Sequence, residues 1–203
     1  LATLNEFRKQ VTKLEEKYLP SMGFRNIFSQ KGFEADDIIA SLCHDLKGEE
    51  IAIVSADKDL YQLLTPSTLH WDPRQKKGTS AGSFENEYGI PVKQWVMVKA
   101  IAGCSSDEIP GVQGVGEKTA IQYITGDLNP NAKKFKDIVA QESEWRKFLD
   151  LVKLPFPGVN KFKIRKNKTS PKKWRKLCKK LGMTSLMGFD ITGSRPTKKN
   201  PKG

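Results

Sequence analysis

A four-residue aliphatic run, Ile51-Ala52-Ile53-Val54, passes without a spacer into Ser55-Ala56-Asp57-Lys58-Asp59. A run this short that ends at a turn reads as a buried strand. Before it, Glu34 to Leu46 has the pattern of a helix. After it, Asp57 to Leu64 restarts a helix that Thr65-Pro66 breaks, and Leu69-His70-Trp71 reads as a second strand. Phe24 to Ser29 reads as a third. Strands alternating with helices are the rhythm of an α/β layered fold on a parallel sheet. In such folds ligands bind in the loops beyond the carboxyl ends of the strands, where Asp57 and Asp59 stand. Three short strands make a small sheet, since about four to six is usual, so one or two N-terminal strands are expected to be missing.

Leu1, Leu4, Phe7, Val11, Leu14 and Tyr18 recur at three- and four-residue steps, predicting a helix that runs to Pro20. From Val92 onward the strand signal fades and helices dominate. The expected organisation is an α/β core over 1–98, incomplete at its N-terminus, a helix-hairpin module over 99–150, and a basic helical region with a disordered tail over 151–203. The chain opens on Leu1 and shows no targeting segment, so it is expected to begin mid-protein. The longest aliphatic run is far below the ~20 residues of a membrane span. Three scattered cysteines and two histidines argue against structural zinc and for a reducing cytoplasm.

Charge is concentrated. The net +12 comes almost entirely from Lys161 to Lys180, which holds 11 basic residues and no acid. Such a run is either a solvated face or a surface for an anionic partner. Within it Ser170 can cap and Pro171 can open a helix that closes at Gly182, with Trp174, Leu177 and Leu181 on one face and the lysines, Lys172, Lys173 and Lys176 among them, pointing outward.

The acids cluster too. Glu34-Ala35-Asp36-Asp37 opens a helix, Asp57 and Asp59 follow a strand, and Ser105-Ser106-Asp107-Glu108 precedes Ile109-Pro110-Gly111. Each cluster alone could be ordinary helix capping. Gathered in one crevice, the carboxylates would raise one another's pKa unless a cation sat among them, and Mg²⁺ or Mn²⁺ prefers hard oxygen ligands. Phosphodiester hydrolysis fits a carboxylate cluster beside a basic surface.

The segment from Pro110 to Ala120 sets Gly111, Gly114 and Gly116 ahead of a helix that begins near Lys118 and Thr119. Glycines allow another backbone to approach, and free N–H groups at a helix start attract phosphate, whereas packing alone would also explain a tight corner. No G-x-x-x-x-G-K-[ST] motif occurs, which argues against nucleotide hydrolysis.

Taken in order, Glu34-Ala35-Asp36-Asp37, Ser55 to Asp59, and Gly103 to Ala120 resemble the 5′-nuclease family that includes the N-terminal domain of bacterial DNA polymerase I and bacteriophage flap nucleases. The likeness is firm from Lys31 to Ala120. It implies a PIN-like, resolvase-like core with a helix-three-turn-helix-like hairpin. It further implies that Glu34, Asp36, Asp37 and Asp57 surround one catalytic Mg²⁺ or Mn²⁺, with Asp36, Asp37 and Asp57 catalytic and Asp59 and Asp107 toward a second ion. Lys99, Lys118 and the hairpin would grip duplex or branched DNA, or RNA–DNA, with K⁺ held at the hairpin. Where the family has an aspartate after the glycine matching Gly103, this chain has Cys104, a soft ligand that would weaken the second metal site. The family's first strand and basic helical arch would have to come from an N-terminal fragment or subunit. The implied activity is a structure-specific 5′-3′ exonuclease or flap endonuclease of replication or repair, in a bacterial or phage-infected cytoplasm. The alternative is a non-catalytic DNA-binding module with vestigial carboxylates.

Overall fold

The computed structural model describes residues 2–104, 108–189 and 191. Along the chain run α1 (Ala2–Lys13), α2 (Leu19–Met22), α3 (Ala35–Asp45), β1 (Ile51–Val54), β2 (Thr68–Asp72), β3 (Lys77–Thr79), α4 (Ala81–Tyr88), α5 (Trp95–Ala102), α6 (Glu117–Thr125), α7 (Lys133–Ala140), α8 (Glu142–Lys147), α9 (Leu149–Val152) and α10 (Pro171–Lys180). They group into two compact units, Ser29–Lys161 and a second made of Leu1–Phe28 with Phe162–Gly203. The boundaries expected at 98 and 150 fall inside the first unit.

In the Ser29–Lys161 unit the sheet runs β1-β2-β3. β1 and β2 are parallel, with Ile51 opposite Thr68 and Val54 opposite Trp71. That pair is the expected parallel core, and β3 adds a strand antiparallel to β2, His70 facing Thr79. Its sequence Lys77-Gly78-Thr79 has only one β-branched residue and gave no strand signal. The expected helix over Asp57 to Leu64 is a 3₁₀ segment, Lys58–Leu63, capped by Asp57. That tighter turn is common in short connectors.

The core of this unit lies against α5. Trp95, Val98, Ala100 and Ile101 are fully enclosed, with Phe84, Ile90, Val112, Ala120, Ile138 and Trp145 packed around them. Tyr61, Phe84 and Trp95 meet at ring-centroid distances of 5.5 to 5.7 Å, near the tilted and edge-on arrangements that aromatic quadrupoles favour. The Trp95 indole N–H donates to the Lys58 carbonyl at 2.7 Å, which satisfies a polar group in the core and ties the acidic 3₁₀ segment to α5.

In the unit formed by the two ends of the chain, the predicted first helix is present but does not stop at Pro20. A π-helical turn over Leu14–Tyr18 links α1 to α2, and the helix ends at Gly23 with φ of 102°. The widened turn falls just before Pro20, where the proline cannot donate to the ladder. The expected strand at Phe24 to Ser29 has no strand pairing. Asparagine side chains replace its ladder: Arg25 N–H donates to Asn167 Oδ1 at 2.9 Å, Arg165 N–H to Asn26 Oδ1 at 2.8 Å, and Asn26 Nδ2 to the Arg165 carbonyl at 2.7 Å. α10 starts where the sequence placed it, Ser170 accepting from the Lys173 N–H at 3.2 Å. Its buried residue is Cys178, and Leu181 is exposed rather than facing inward. Residues 193–203, expected to form a disordered tail, lie outside the described residues.

Candidate metal and phosphate site

α3 brings Glu34, Asp36 and Asp37 to its first turn, where helical N–H groups are short of acceptors. Asp37 uses both oxygens structurally: Oδ2 accepts from the Glu34 N–H at 3.2 Å and Oδ1 from the Phe156 N–H at 3.0 Å. The second bond fixes the loop that follows α9. Asp36 Oδ1 accepts from the Asp37 N–H at 2.9 Å. Burial, with the charges of Asp37 and Glu34 adding to it, leaves the Asp36 carboxyl above its ordinary value despite that hydrogen bond.

A 270 Å³ cavity is lined by these three acids together with Asp59, and its walls include Ile109 and Phe156. Asp57 does not line it. Asp57 lines an adjoining 450 Å³ cavity with Ser55, Arg74, Lys99, Cys104 and Glu117, and Asp59 borders both. The capping role of Asp57 is real, since its Oδ1 accepts from the Asp59 N–H at 2.9 Å. Its carbonyl is held in turn by the buried His70 Nε2 at 3.1 Å, and burial keeps that imidazole below its usual pKa.

Asp59 is the hub. Its Oδ1 lies 2.8 Å from Lys99 Nζ, and both side chains are only 11–12% exposed. Lys99 reaches Glu117 at 3.4 Å, and Lys58 reaches the same carboxylate at 3.6 Å. Burial pulls the Lys99 ammonium down, but the Asp59 hydrogen bond and the charges of Asp59 and Glu117 outweigh it and leave the pKa raised. Lys99, expected at the phosphate-binding surface, is thus enclosed among carboxylates. The Cys104 thiol stands 3.9 Å from Asp59 Oδ2, which puts it beside the acid the sequence paired it with. Asp107 lies outside the described residues.

Glu117 received no role from the sequence. Its position directly after Gly116, as the only acid in the first turn of α6, was the available signal.

The donor set fits a hard divalent cation: it is all carboxylate on the α3 side, and the raised Asp36 carboxyl is the condition a cation would relieve. Among the described residues no three His, Cys, Asp or Glu side chains stand in ligating geometry, so coordination requires side-chain rotation.

The hairpin between α5 and α6 is built on backbone contact. Cys104 and Ile109 exchange hydrogen bonds of 2.9 and 3.0 Å, and the Val112 N–H donates to the Ile101 carbonyl at 2.8 Å. Gly111 has φ of +58°, and a Cβ there would lie 2.4 Å from the Gly103 nitrogen. Gly116 differs. It caps α6 with φ of −102°, and a Cβ would meet nothing within 4 Å. Among the described residues nothing demands a glycine at that position. Gly114, Gly116 and Lys118 are exposed, and Thr119 is half-buried. Lys172, Lys173 and Lys176 are exposed on α10 of the other unit.

Residues 2–89 match the model of the 5′-3′ exonuclease N-terminal resolvase-like domain. The thermostable DNA polymerase I of Thermus thermophilus is 46% identical over 95 residues, 46% of this chain and 11% of that protein. A 5′-3′ exonuclease of Buchnera aphidicola subsp. Schizaphis graminum is 40% identical over 124 residues, 60% of this chain and 40% of the relative. The chain therefore spans less than two thirds of the length of these relatives. Among solved structures, the phage T5 5′-exonuclease with bound divalent metal ions (zinc) aligns at a TM-score of 0.65 and 25% identity, covering 76% of this chain and 61% of that one. A complex of the phage T5 flap endonuclease with DNA and metal ions aligns at 0.55 and 26%, covering 63% and 52%. No helix among the described residues is long and apolar enough to cross a membrane. Over residues 2–89 the chain is thus similar to the 5′-3′ exonuclease N-terminal, resolvase-like domain family.

Proposed function

We propose that this chain is the carboxylate-bearing and DNA-gripping part of a Mg²⁺- or Mn²⁺-dependent 5′-nuclease that cuts flap, nicked or gapped duplex, or RNA primers paired to DNA. The observation that carries the reading is the cavity shared by Glu34, Asp36, Asp37 and Asp59, walled by Ile109 at the foot of the hairpin. A carboxylate nest and a phosphate-binding turn placed against each other are what hydrolysis of a nucleic-acid backbone requires.

In this reading Glu34, Asp36 and Asp37 hold one ion, and Asp57, Asp59 and Asp107 hold a second across the Asp59 hub. A bound divalent ion would supply an activated water and neutralise charge on the phosphate. Lys99 orients Asp59 through their 2.8 Å ion pair. Gly111 shapes the hairpin, while Gly114, Gly116, Lys118 and Thr119 present backbone N–H groups and charge to a phosphodiester, with room for K⁺ at the same turn. The thiol of Cys104 in place of a carboxylate weakens the second site. These contacts go to the backbone, so the grip is independent of base sequence.

One face of the sheet supports a further element. Val54, Leu69 and Trp71 share a face by register and are 65, 42 and 40% exposed, and an additional segment of a longer protein, in cis or as a fragment, would cover them. The test is a flap-cleavage assay at matched DNA occupancy, with residues 1–203 alone and joined to the upstream polypeptide. Slow cutting alone and Mg²⁺-dependent cutting when joined is the expected result. Tight binding with no cutting by the joined protein would favour a non-catalytic DNA-binding module.

A further inference from the structure

In the unit formed by the two ends of the chain, a 370 Å³ groove runs between the Leu14–Met22 segment and α10, with Lys17, Tyr18 and Ser21 on one side and Lys173, Lys176 and Lys180 on the other. All four lysines are exposed, and none takes part in an ion pair among the described residues. Lys173, Lys176 and Lys180 follow one another at three- and four-residue steps, so they lie on one face of α10 over about 10 Å of axis, which is roughly three phosphate steps of one strand. A merely solvated helix gains nothing by converging its like charges on a fourth lysine from another element.

The floor is not charged. Tyr18 and Leu177 are half-buried and line the groove together. Tyr18 ends the π-helical turn Leu14–Tyr18, where the Leu19 N–H reaches back to the Leu14 carbonyl. Single π turns inside helices occur often at functional sites, and this one shifts the register of the residues after it. Ser21 does not project freely, for its hydroxyl donates to the Tyr18 carbonyl at 2.7 Å.

We infer that this groove binds a single strand of nucleic acid, the lysines on its phosphates and the Tyr18 ring against a base. A duplex offers phosphates but keeps its bases stacked inside, so it could use the rim and not the floor. A strand with free bases uses both, as aromatic platforms flanked by positive charge do elsewhere. The volume suits a nucleotide-sized group, falling in the ~300–1,000 Å³ range of small-ligand clefts. The inference rests on the nuclease reading only for its choice of polymer; neither metal binding nor cleavage enters it.

The experiment measures binding of residues 1–203 to a fluorescent twelve-residue oligo-dT and to a blunt duplex of equal length across a salt series. Lys17→Ala with Lys176→Ala should flatten the single-strand salt slope by about 1.4, near 0.7 for each phosphate no longer neutralised. Tyr18→Leu should weaken the oligo-dT complex at least about fivefold with the slope unchanged, Tyr18→Phe should restore it, and duplex affinity should not respond to Tyr18. A crosslink from 5-iodouracil placed in the strand should fall on the Tyr18 peptide. Unchanged oligo-dT binding in the lysine variants would overturn the groove. So would inorganic polyphosphate competing as well as the oligonucleotide while Tyr18→Leu has no effect, which would mark a simple anion seat. If duplex and flap binding persist in either of those cases the nuclease reading stands alone; if single-strand binding behaves as expected but metal and cleavage are absent, the groove stands alone.

Discussion

Asp36 and Asp59 face opposite electrostatic conditions within one cavity. Asp59 has the Lys99 ammonium at 2.8 Å, whereas Asp36 has burial and two neighbouring acids acting against its charge. Because the folded Asp36 pKa is raised above the unfolded value, the folded chain holds more protons between the two values, and stability falls as pH rises through that window. At pH 7 the penalty is fully present; at pH 3, below both, it is gone. Asp36→Asn should therefore raise Tm at pH 7 without metal and leave it nearly unchanged at pH 3; equal shifts at both pH values would show that the effect is packing. Lys99→Met should destabilise the fold in urea unfolding by a few kcal/mol (about 3), since it removes the ammonium partner of a buried carboxylate, and Asp59→Leu added to it should recover part of the loss. A double variant no more stable than the single would place the Lys99 effect elsewhere. The sequence made the carboxylates visible through their order and types. It could not show that Lys99 is enclosed with them, because a lysine mid-helix reads the same whether it faces water or an acid. Nor could it divide Asp57 from the α3 acids, since that separation depends on the tight 3₁₀ turn.

At the scale of elements, the hairpin separates folding from binding. Gly111→Ala forces a left-handed backbone on a residue with a side chain, costing of order 1–3 kcal/mol before the clash with Gly103 is added. Gly116→Thr should leave Tm almost unchanged, because threonine caps a helix about as well as glycine, yet weaken duplex binding about tenfold by filling the open space in front of α6. If Gly116→Thr destabilises the fold and spares binding, the hairpin is a packing corner. Strands β1 and β2 and the starts of α3 and α10 were legible because apolar runs, caps and prolines act locally. β3 and the Phe24–Ser29 segment were not: the first is specified by its partner, and the second is held by Asn26 and Asn167, 141 residues apart.

For the whole molecule, the informative fact is that the two ends of the chain form one compact unit while the carboxylates and the hairpin share the other. No window along the sequence reveals such closure. On the proposed reading both units present surface to an anionic polymer, so the log of duplex affinity against the log of salt should have a slope near −0.9 for every phosphate neutralised. Replacing Lys172, Lys173 and Lys176 by alanine should flatten it, and an identical slope would reduce the run to a solvated face. The cation is the more direct question. In a calorimetric Mn²⁺ titration of residues 1–203 at pH 7, the carboxylate cavity should yield saturable binding that Asp36→Asn and Asp37→Asn each weaken tenfold or more, while Lys176→Ala leaves it unchanged. Absence of saturable binding, or binding that those two variants do not disturb, would contradict the assignment of this cavity as the metal centre of a 5′-nuclease.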